Sequence, residues 1–200
     1  LGSKGGKKYS KDSLGESRNY YSQSPDGNWS PLELFKDKEV LLIGSGPGVS
    51  KHKMAIEAYI KNSRPLVIAL NAQSFINNDL INIRIASHPL RLMSDFERLS
   101  KLSKPLITPA SSIPSNFLKH MSSIEILDYG LGVQENNHVY GNTGCILSSP
   151  LVVGYALAVA SSGKAKRVLL AGFDGYSADD PRRIEDDMIN HLSEAYYHWT

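Results

Sequence analysis

From residue 39 onward, short apolar runs alternate with longer amphipathic stretches. Six runs have the length and composition of strands, at 39–44, 66–70, 83–86, 105–108, 124–127 and 167–171. Four of the stretches between them have helical spacing, at 51–62, 91–102, 114–121 and 150–162. Parallel strands need such long crossovers, so the alternation is typical of an α/β domain. It predicts a doubly wound, mainly parallel Rossmann-like sheet with helices on both faces.

The first predicted helix has apolar residues at the spacing of a single helical stripe. Met54, Ala55, Ala58 and Tyr59 form this stripe, which we expect to pack on the sheet.

Residues 1–28 differ in composition from the rest of the chain. They are rich in Gly, Ser and Lys and have almost no apolar periodicity, which predicts a flexible N-terminal arm or linker. We expect residues 29–200 to form a single Rossmann-like nucleotide-binding domain. A chain of 200 residues fits one domain plus an appendage, given the usual size of roughly 150 residues per domain. Such a start also suggests a piece of a longer protein.

Charge and cysteine content argue against several classes of protein. Residues 1–20 hold five basic and two acidic residues, so the remaining chain, with a total net charge of only +2, is close to neutral. A nucleic-acid-binding domain carries its basic patch on the folded body, so we expect no nucleic-acid partner. The single cysteine, Cys145, cannot form an internal disulfide and favours a cytoplasmic location. No apolar run approaches the roughly 18 residues of a membrane span, so none is predicted.

A glycine-rich loop follows the first predicted strand and leads into a helix. It consists of Gly44, Ser45, Gly46, Pro47 and Gly48. Closely approaching backbone N–H groups and a helix N-terminus favour an anion, so the loop predicts a phosphate site. The GxGxG spacing and the neutral Asn71 after the second strand disfavour NAD and FAD. The alternative is a turn that only packs a helix on the sheet. If the loop binds phosphate, Gly46→Val should abolish nucleotide binding without unfolding the domain.

Polar side chains also follow the second and third predicted strands. Asn71 and Gln73 offer neutral donors and acceptors suited to a sugar hydroxyl or a base edge, although an asparagine there can simply form a turn. His88 follows the third strand and is a candidate general acid or base, with a structural role as the alternative.

The C-terminal third contributes two further candidate positions. Ser148 and Ser149 precede the last predicted helix and suggest either a second anion site or plain N-capping. Asp174 follows Gly172 after the last strand, where a carboxylate could bind ribose or act as a base. We interpret the acidic residues beyond it as a solvated face, so no metal site is predicted. Magnesium accompanying a nucleotide remains a candidate. Residues 129–149 predict a long irregular connection.

Several short motifs, taken in order, resemble a known group of enzymes. GSGPG at 44–48, ALNAQ at 69–73, the Ser148–Ser149 pair and LAGFDGY at 170–176 look like the bacterial sialyltransferases that use CMP-activated sialic acid. The phrases VLLIGSGPGV, VIALN, ASHP and AGFDGYSADDPR are similar to the C-terminal module of HMG-CoA-lyase-like aldolases from bacterial surface-polysaccharide clusters. The resemblance covers about residues 30–197.

The resemblance implies a nucleotide pocket at the carboxyl edge of the sheet. The implied residues are the glycine loop, Asn71, Gln73, Ser148, Ser149, Gly172, Asp174 and Tyr176. Ser45 stands where the sialyltransferases have asparagine, and the segment holding their catalytic histidine has no counterpart here. The implied function is a nucleotide- or nucleotide-sugar-binding domain, with a CMP-like ligand, in bacterial surface-glycan biosynthesis, as part of a longer aldolase-containing protein.

Two alternatives remain open on the sequence alone. One is a complete glycosyltransferase of the sialyltransferase type, in which His88 or Asp174 acts as the base. The other is a non-catalytic interaction domain that has a vestigial pocket and forms a homo-oligomer. The sequence alone does not decide whether the chain is an enzyme.

Overall fold

The computed structural model describes residues 25–72, 74–113 and 115–175. The strands in these ranges are β1 (Glu39–Ile43), β2 (Leu66–Leu70), β3 (Ile83–Ile85), β4 (Leu106–Thr108), β5 (Ile126–Asp128), β6 (Gly130–Val133), β7 (Val139–Tyr140), β8 (Gly144–Leu147) and β9 (Arg167–Ala171). Six of them form one parallel sheet in the order β5-β4-β3-β2-β1-β9. The predicted doubly wound parallel sheet is confirmed.

Helices cover both faces of this sheet. They are α1 (Leu32–Phe35), α2 (Pro47–Lys51), α3 (Lys53–Ser63), α4 (Pro89–Leu102), α5 (Ser115–His120) and α6 (Val152–Ser162), with short 3₁₀ turns at Asn78–Leu80, Ala110–Ser112 and Met121–Ser123. Parallel crossovers are right-handed, so α3, α4 and α5 lie on one face, whereas α6 follows the change of direction and lies on the other. None of the helices in the described ranges has the length and apolar content needed to cross a membrane.

The central strands form because their side chains are apolar on both sides. All five residues of β2, LVIAL, are buried, as expected for a parallel strand covered by helices on both faces. Ile68 and Ile85 belong to the same apolar cluster as Tyr155 of α6, whereas Val67 and Ala69 face α3. The tyrosine hydroxyl of Tyr155 donates to the backbone carbonyl of Tyr129, so this large side chain is buried with its polar atom satisfied.

The apolar stripe predicted for α3 is largely wrong. Met54 is 85% exposed, and Ala55 and Ala58 are exposed as well. Ile56 and Ile60 contact the sheet instead, and Tyr59 packs beside them. Two overlapping sets of apolar residues in this helix have helical spacing, the predicted one and the one that contains Ile56 and Ile60. The one with two isoleucines buries more apolar surface, and free energy of burial grows with that surface.

The connection over residues 129–149 is also more regular than predicted. It folds into a second, three-stranded sheet in the order β6-β8-β7, with β6 parallel and β7 antiparallel to β8. Residues 25–28, predicted to belong to the N-terminal arm, pack on this sheet: the N–H of Gly27 donates to the carbonyl of Thr143 at 2.8 Å. Residues 25–28 therefore contact the folded body. Residues 1–24 of the predicted arm lie outside the described residues.

Candidate functional site

The chain changes direction across the sheet between β1 and β9. Strands β2 to β5 are added on one side of β1, whereas β9 pairs with its other side. Ligands of open parallel sheets bind at such a point, beyond the carboxyl ends of the strands. The glycine loop follows β1 here and the segment Gly172–Asp174 follows β9, so the structure brings together two sets of predicted site residues.

The glycine loop uses its backbone donors within the protein. The N–H of Gly44 donates to the carbonyl of Ala171 at 2.8 Å, and the N–H of Gly46 donates to the carbonyl of Gly172 at 3.0 Å. The N–H of Gly48 donates to Oδ2 of Asp174 at 2.7 Å. The carboxylate of Asp174 thus sits at the start of α2, the place that the sequence suggests for a phosphate.

Close packing of two backbones explains the glycines in this loop. A Cβ on Gly46 would lie 2.7 Å from the carbonyl oxygen of Gly172 and would collide with the Asp174 carboxylate. Gly172 itself has φ +80°, a backbone angle that residues other than glycine rarely adopt. Valine at position 46 would collide with the Gly172 carbonyl and the Asp174 carboxylate, so the structure argues against the expectation that Gly46→Val leaves the fold undisturbed.

A different helix N-terminus lies at the carboxyl edge near β3. The buried Ser87 hydroxyl donates to the carbonyl of Pro150 at 2.8 Å, which fixes the loop after β3 against the start of α6. Leu151 occupies the N-cap position of α6, and no side chain caps the helix there. Within the described residues, the first-turn N–H groups of this 11-residue helix thus lack an intrahelical partner and a side-chain cap from the N-cap position, and their partial positive charge favours an anion.

The two predicted serines lie just before this helix. Ser148 is exposed, and its hydroxyl shares a hydrogen bond of 3.2 Å with Nε2 of His138. Ser149 is partly exposed and adjoins the Ser87–Pro150 contact. Neither serine is the N-cap residue, since that position belongs to Leu151. Their hydroxyls are therefore not used in capping α6.

His88 also belongs to this part of the edge, because it directly follows Ser87. Burial, assisted by the positive charge of Arg91, lowers the pKa of His88 to about 4. The imidazole is therefore neutral at pH 7. A neutral imidazole can donate and accept hydrogen bonds, but it is not a general acid at that pH and is a weak base.

Asn71 is held in position by its backbone. It has φ +57°, its N–H donates to the carbonyl of Ile85 at 2.8 Å, and its carbonyl accepts from Nη1 of Arg84 at 2.9 Å. Its amide side chain is partly exposed just beyond β2. Gln73 and Tyr176, which the sequence also places in the site, lie outside the described residues.

Two residues of this region are not predicted from the sequence. Ser87 joins β3 to α6 through its bond to Pro150. Arg84 is buried, and its guanidinium anchors the segment that follows β2. The only signal for Arg84 is a charged residue inside an apolar run, IRIA. Such a residue is equally typical of the polar side of a half-exposed strand.

In the part of the chain that the structure describes, neither a reactive thiol nor a metal-binding cluster forms. Burial raises the pKa of Cys145 to about 12, so its thiol stays protonated and unreactive. Over residues 25–72, 74–113 and 115–175, no three His, Cys, Asp or Glu side chains gather in a way that could hold a metal ion.

Comparison with known proteins adds a fold relationship. No protein-family model and no curated protein matches the chain. Among solved structures, the chain resembles the MAf glycosyltransferase from Magnetospirillum magneticum AMB-1, with a TM-score of 0.55 and 16% sequence identity. The match covers 86% of this chain but only 28% of that protein, so the chain spans well under a third of its length. At this identity the likeness shows a shared fold.

Proposed function

We propose that the chain is a nucleotide-sugar-binding domain of the glycosyltransferase kind, which holds the phosphate of its ligand at the N-terminus of α6. The observation that carries this proposal is the uncapped start of α6 at the carboxyl edge of a parallel sheet. The resemblance in fold to a glycosyltransferase supports the same class of ligand.

The electrostatics around α6 favour an anion. The helix N-terminus contributes a partial positive charge. Arg91 lies close enough to His88 to help lower the pKa of that histidine, although it also pairs with Asp95 at 3.3 Å. The neutral His88 and the hydroxyls of Ser148 and Ser149 add hydrogen-bonding groups without adding negative charge. Together these groups suit a phosphate with sugar hydroxyls beside it.

The glycine loop has a different task in this proposal. Its donors at Gly44, Gly46 and Gly48 already bond to β9 and the segment after it, and Asp174 neutralises the start of α2. The loop holds the carboxyl ends of β1 and β9 together by hydrogen bonds, and in this proposal it lies at the side of the ligand site. Asn71, beyond the neighbouring strand, is placed to hydrogen-bond the nucleoside.

The finer assignments belong to the same proposal. The order of motifs that resembles the sialyltransferases favours a cytidine nucleotide over other bases, with Mg²⁺ as an optional partner of the phosphate. The similarity to the C-terminal module of the aldolases adds attachment to an aldolase and a role in surface-glycan biosynthesis to the proposal. The single cysteine adds a cytoplasmic location. His88 and Asp174 serve in binding and structure here, because one is neutral with a low pKa and the other is bonded to Gly48.

A panel of ligands tests the proposal. CMP, CTP, UDP, a UDP-sugar, GDP and ADP are each added with and without Mg²⁺, the melting temperature is measured, and any response is confirmed by calorimetric titration. A ligand at about 100 times its Kd stabilises the folded state by roughly 2.7 kcal/mol, which shifts the melting temperature by several degrees.

The outcomes separate the proposal from its alternatives. We expect a saturable response, largest for the cytidine nucleotides. A response to another base would keep the site and change the ligand. No response from any nucleotide, together with a concentration-dependent oligomer, would contradict the proposal and favour the interaction domain.

A further inference from the structure

A cavity of about 310 Å³ lies on the face of the sheet opposite α6, between α4 and the segment that follows β2. Arg84 and Arg98 line it, together with Ser45 of the glycine loop, Ser74, Asn78, Phe75 and Leu102. In the sheet register Arg84 pairs with Ala69, which packs toward α3, whereas its neighbours Ile83 and Ile85 pack toward α6. The cavity thus lies on the face of the sheet opposite α6, and it reaches the glycine loop at Ser45.

Arg84 is almost completely buried, at 2% exposure, yet its bonds are all to neutral groups. Nη1 donates to the carbonyls of Asn71 and Ala72, each at 2.9 Å, and Nη2 donates to Oδ1 of Asn78 at 3.2 Å. Its buried Nε has no hydrogen-bond partner in the described part of the chain. A guanidinium has five N–H donors, so this one retains donors for a further acceptor.

The charge of Arg84 is also poorly compensated. The carboxylate of Asp95 stabilises the charged form of Arg84 through space. That carboxylate forms an ion pair with Arg91, however, at 3.3 Å. Within the described ranges no acid lies within 4.0 Å of the guanidinium of Arg84 or Arg98. Burial lowers the pKa of Arg84 to about 10, so it is still charged at pH 7. A buried charge with so little compensation is costly to the fold, and an anion bound beside it would offset that cost.

The remaining walls indicate the size and character of the ligand. Arg98 is exposed on α4 and adds a second guanidinium. Ser74 and Asn78 offer neutral polar groups, and Phe75 and Leu102 form an apolar wall. The volume is at the small end of the range for ligand pockets, about 300–1,000 Å³. It suits a single sugar-sized molecule that carries one anionic group.

We infer that this cavity is a second binding site, which takes a small molecule bearing a phosphate or carboxylate group between Arg84 and Arg98. Both groups are planar or tetrahedral oxyanions that guanidinium forks recognise through paired, charge-assisted hydrogen bonds. The site is independent of the α6 N-terminus, since no residue of α6 lines it.

Calorimetric titration of the full chain tests this site with inorganic phosphate, glucose 6-phosphate and glucuronate, at constant ionic strength. Glucose is the neutral control. We expect saturable binding of at least one anionic probe and none of glucose. Preference for the phosphates or for glucuronate would identify which oxyanion the site takes. No saturable binding of any anionic probe would overturn the inference.

Two matched variants on α4 locate the binding. Arg98→Gln removes one guanidinium and should weaken binding of the preferred probe about tenfold. Lys101→Gln removes the same charge from an exposed residue of the same helix that does not line the cavity, and it should leave binding unchanged. Equal affinity in the Arg98→Gln protein and the wild type would overturn the assignment. Arg84→Lys, which lacks the fork, should abolish binding if the protein remains folded.

Discussion

The glycine loop after β1 and the start of α6 are both helix N-termini at the carboxyl edge of one sheet, yet they differ in what their donors do. At the glycine loop, three backbone N–H groups bond to β9 and its following segment, and Asp174 occupies the start of α2. At α6, no side chain caps the helix. The glycine loop, which has the stronger sequence signature, thus has its backbone donors bonded within the protein. The start of α6, which has the weaker signature, keeps its donors for a ligand.

This difference shows what a glycine motif can and cannot indicate. Glycine permits the close approach of a ligand, but equally that of the protein's own adjacent strand. In this chain the close approach is made by Gly172, whose carbonyl lies 3.0 Å from the backbone nitrogen of Gly46. Whether such a loop binds phosphate therefore depends on the residues beyond the partner strand, which here include an aspartate far along the chain.

The largest effect is expected for Gly46→Val. The valine would collide with the backbone of Gly172 and with Asp174, and should destabilise the folded state by about 3 kcal/mol or more. Urea unfolding measures the loss. Gly154→Ala is the matched control in α6, where a Cβ meets only Leu147 at 3.7 Å, and it should stabilise by up to about 1 kcal/mol. A Gly46→Val protein of wild-type stability would show that the loop is free to move.

The next effect is the pH dependence of stability at His88. Its folded-state pKa of about 4 lies below the usual 6.5, so the unfolded chain binds the proton first as pH falls. Stability should be full above pH 6.5 and fall between pH 6.5 and 4, by up to about 2 kcal/mol after allowance for partial exposure. His88→Gln should remove this dependence. If the slope in that window is the same in both proteins, the burial of His88 is not its cause.

A smaller effect is expected where β3 meets α6. Ser87→Ala deletes the buried hydrogen bond to Pro150 and leaves that carbonyl unsatisfied, which should cost about 1 kcal/mol. Because the bond positions the start of α6, nucleotide affinity should also fall. Urea unfolding measures the first quantity and calorimetric titration the second. Ser100→Ala, which removes an exposed hydroxyl bonded only within α4, is the control and should change neither.

Continuous apolar runs made the main sheet predictable. Strands such as β2 are buried on both faces, so their sequence is apolar throughout. The rule for right-handed crossovers then accounts for the face of the sheet on which each connecting helix lies. The second sheet was missed because β6 is GLGV and β7 has only two residues, too short for any alternation to appear. The stripe of α3 was misassigned because apolar residues occur on more than one side of that helix.

The candidate site was predictable in position but not in bonding. The residues after β1, β3 and β9 were placed at the carboxyl edge correctly, because parallel strands all end there. The bond from Gly48 to Asp174 joins residues 126 positions apart, and no local pattern indicates it. Arg84 was missed for a similar reason: its acceptors are backbone carbonyls, which every sequence supplies.

The most direct test of phosphate binding at α6 is a titration of CMP into Ser149→Glu, compared with Ser161→Glu. Each variant adds one carboxylate, in the first case two residues before the N-cap of α6 and in the second near the C-terminus of α6. Negative charge is favourable at the first position and unfavourable at the second, so Ser149→Glu should keep or slightly raise stability while Ser161→Glu lowers it by about 0.5 kcal/mol.

Binding should follow the opposite order. The added carboxylate in Ser149→Glu competes for the helix N-terminus and should weaken CMP binding at least tenfold, an effect of about 1.4 kcal/mol. Ser161→Glu should bind CMP as the wild type does. Wild-type affinity in Ser149→Glu, with CMP binding intact in the wild type, would contradict the claim that α6 holds the phosphate.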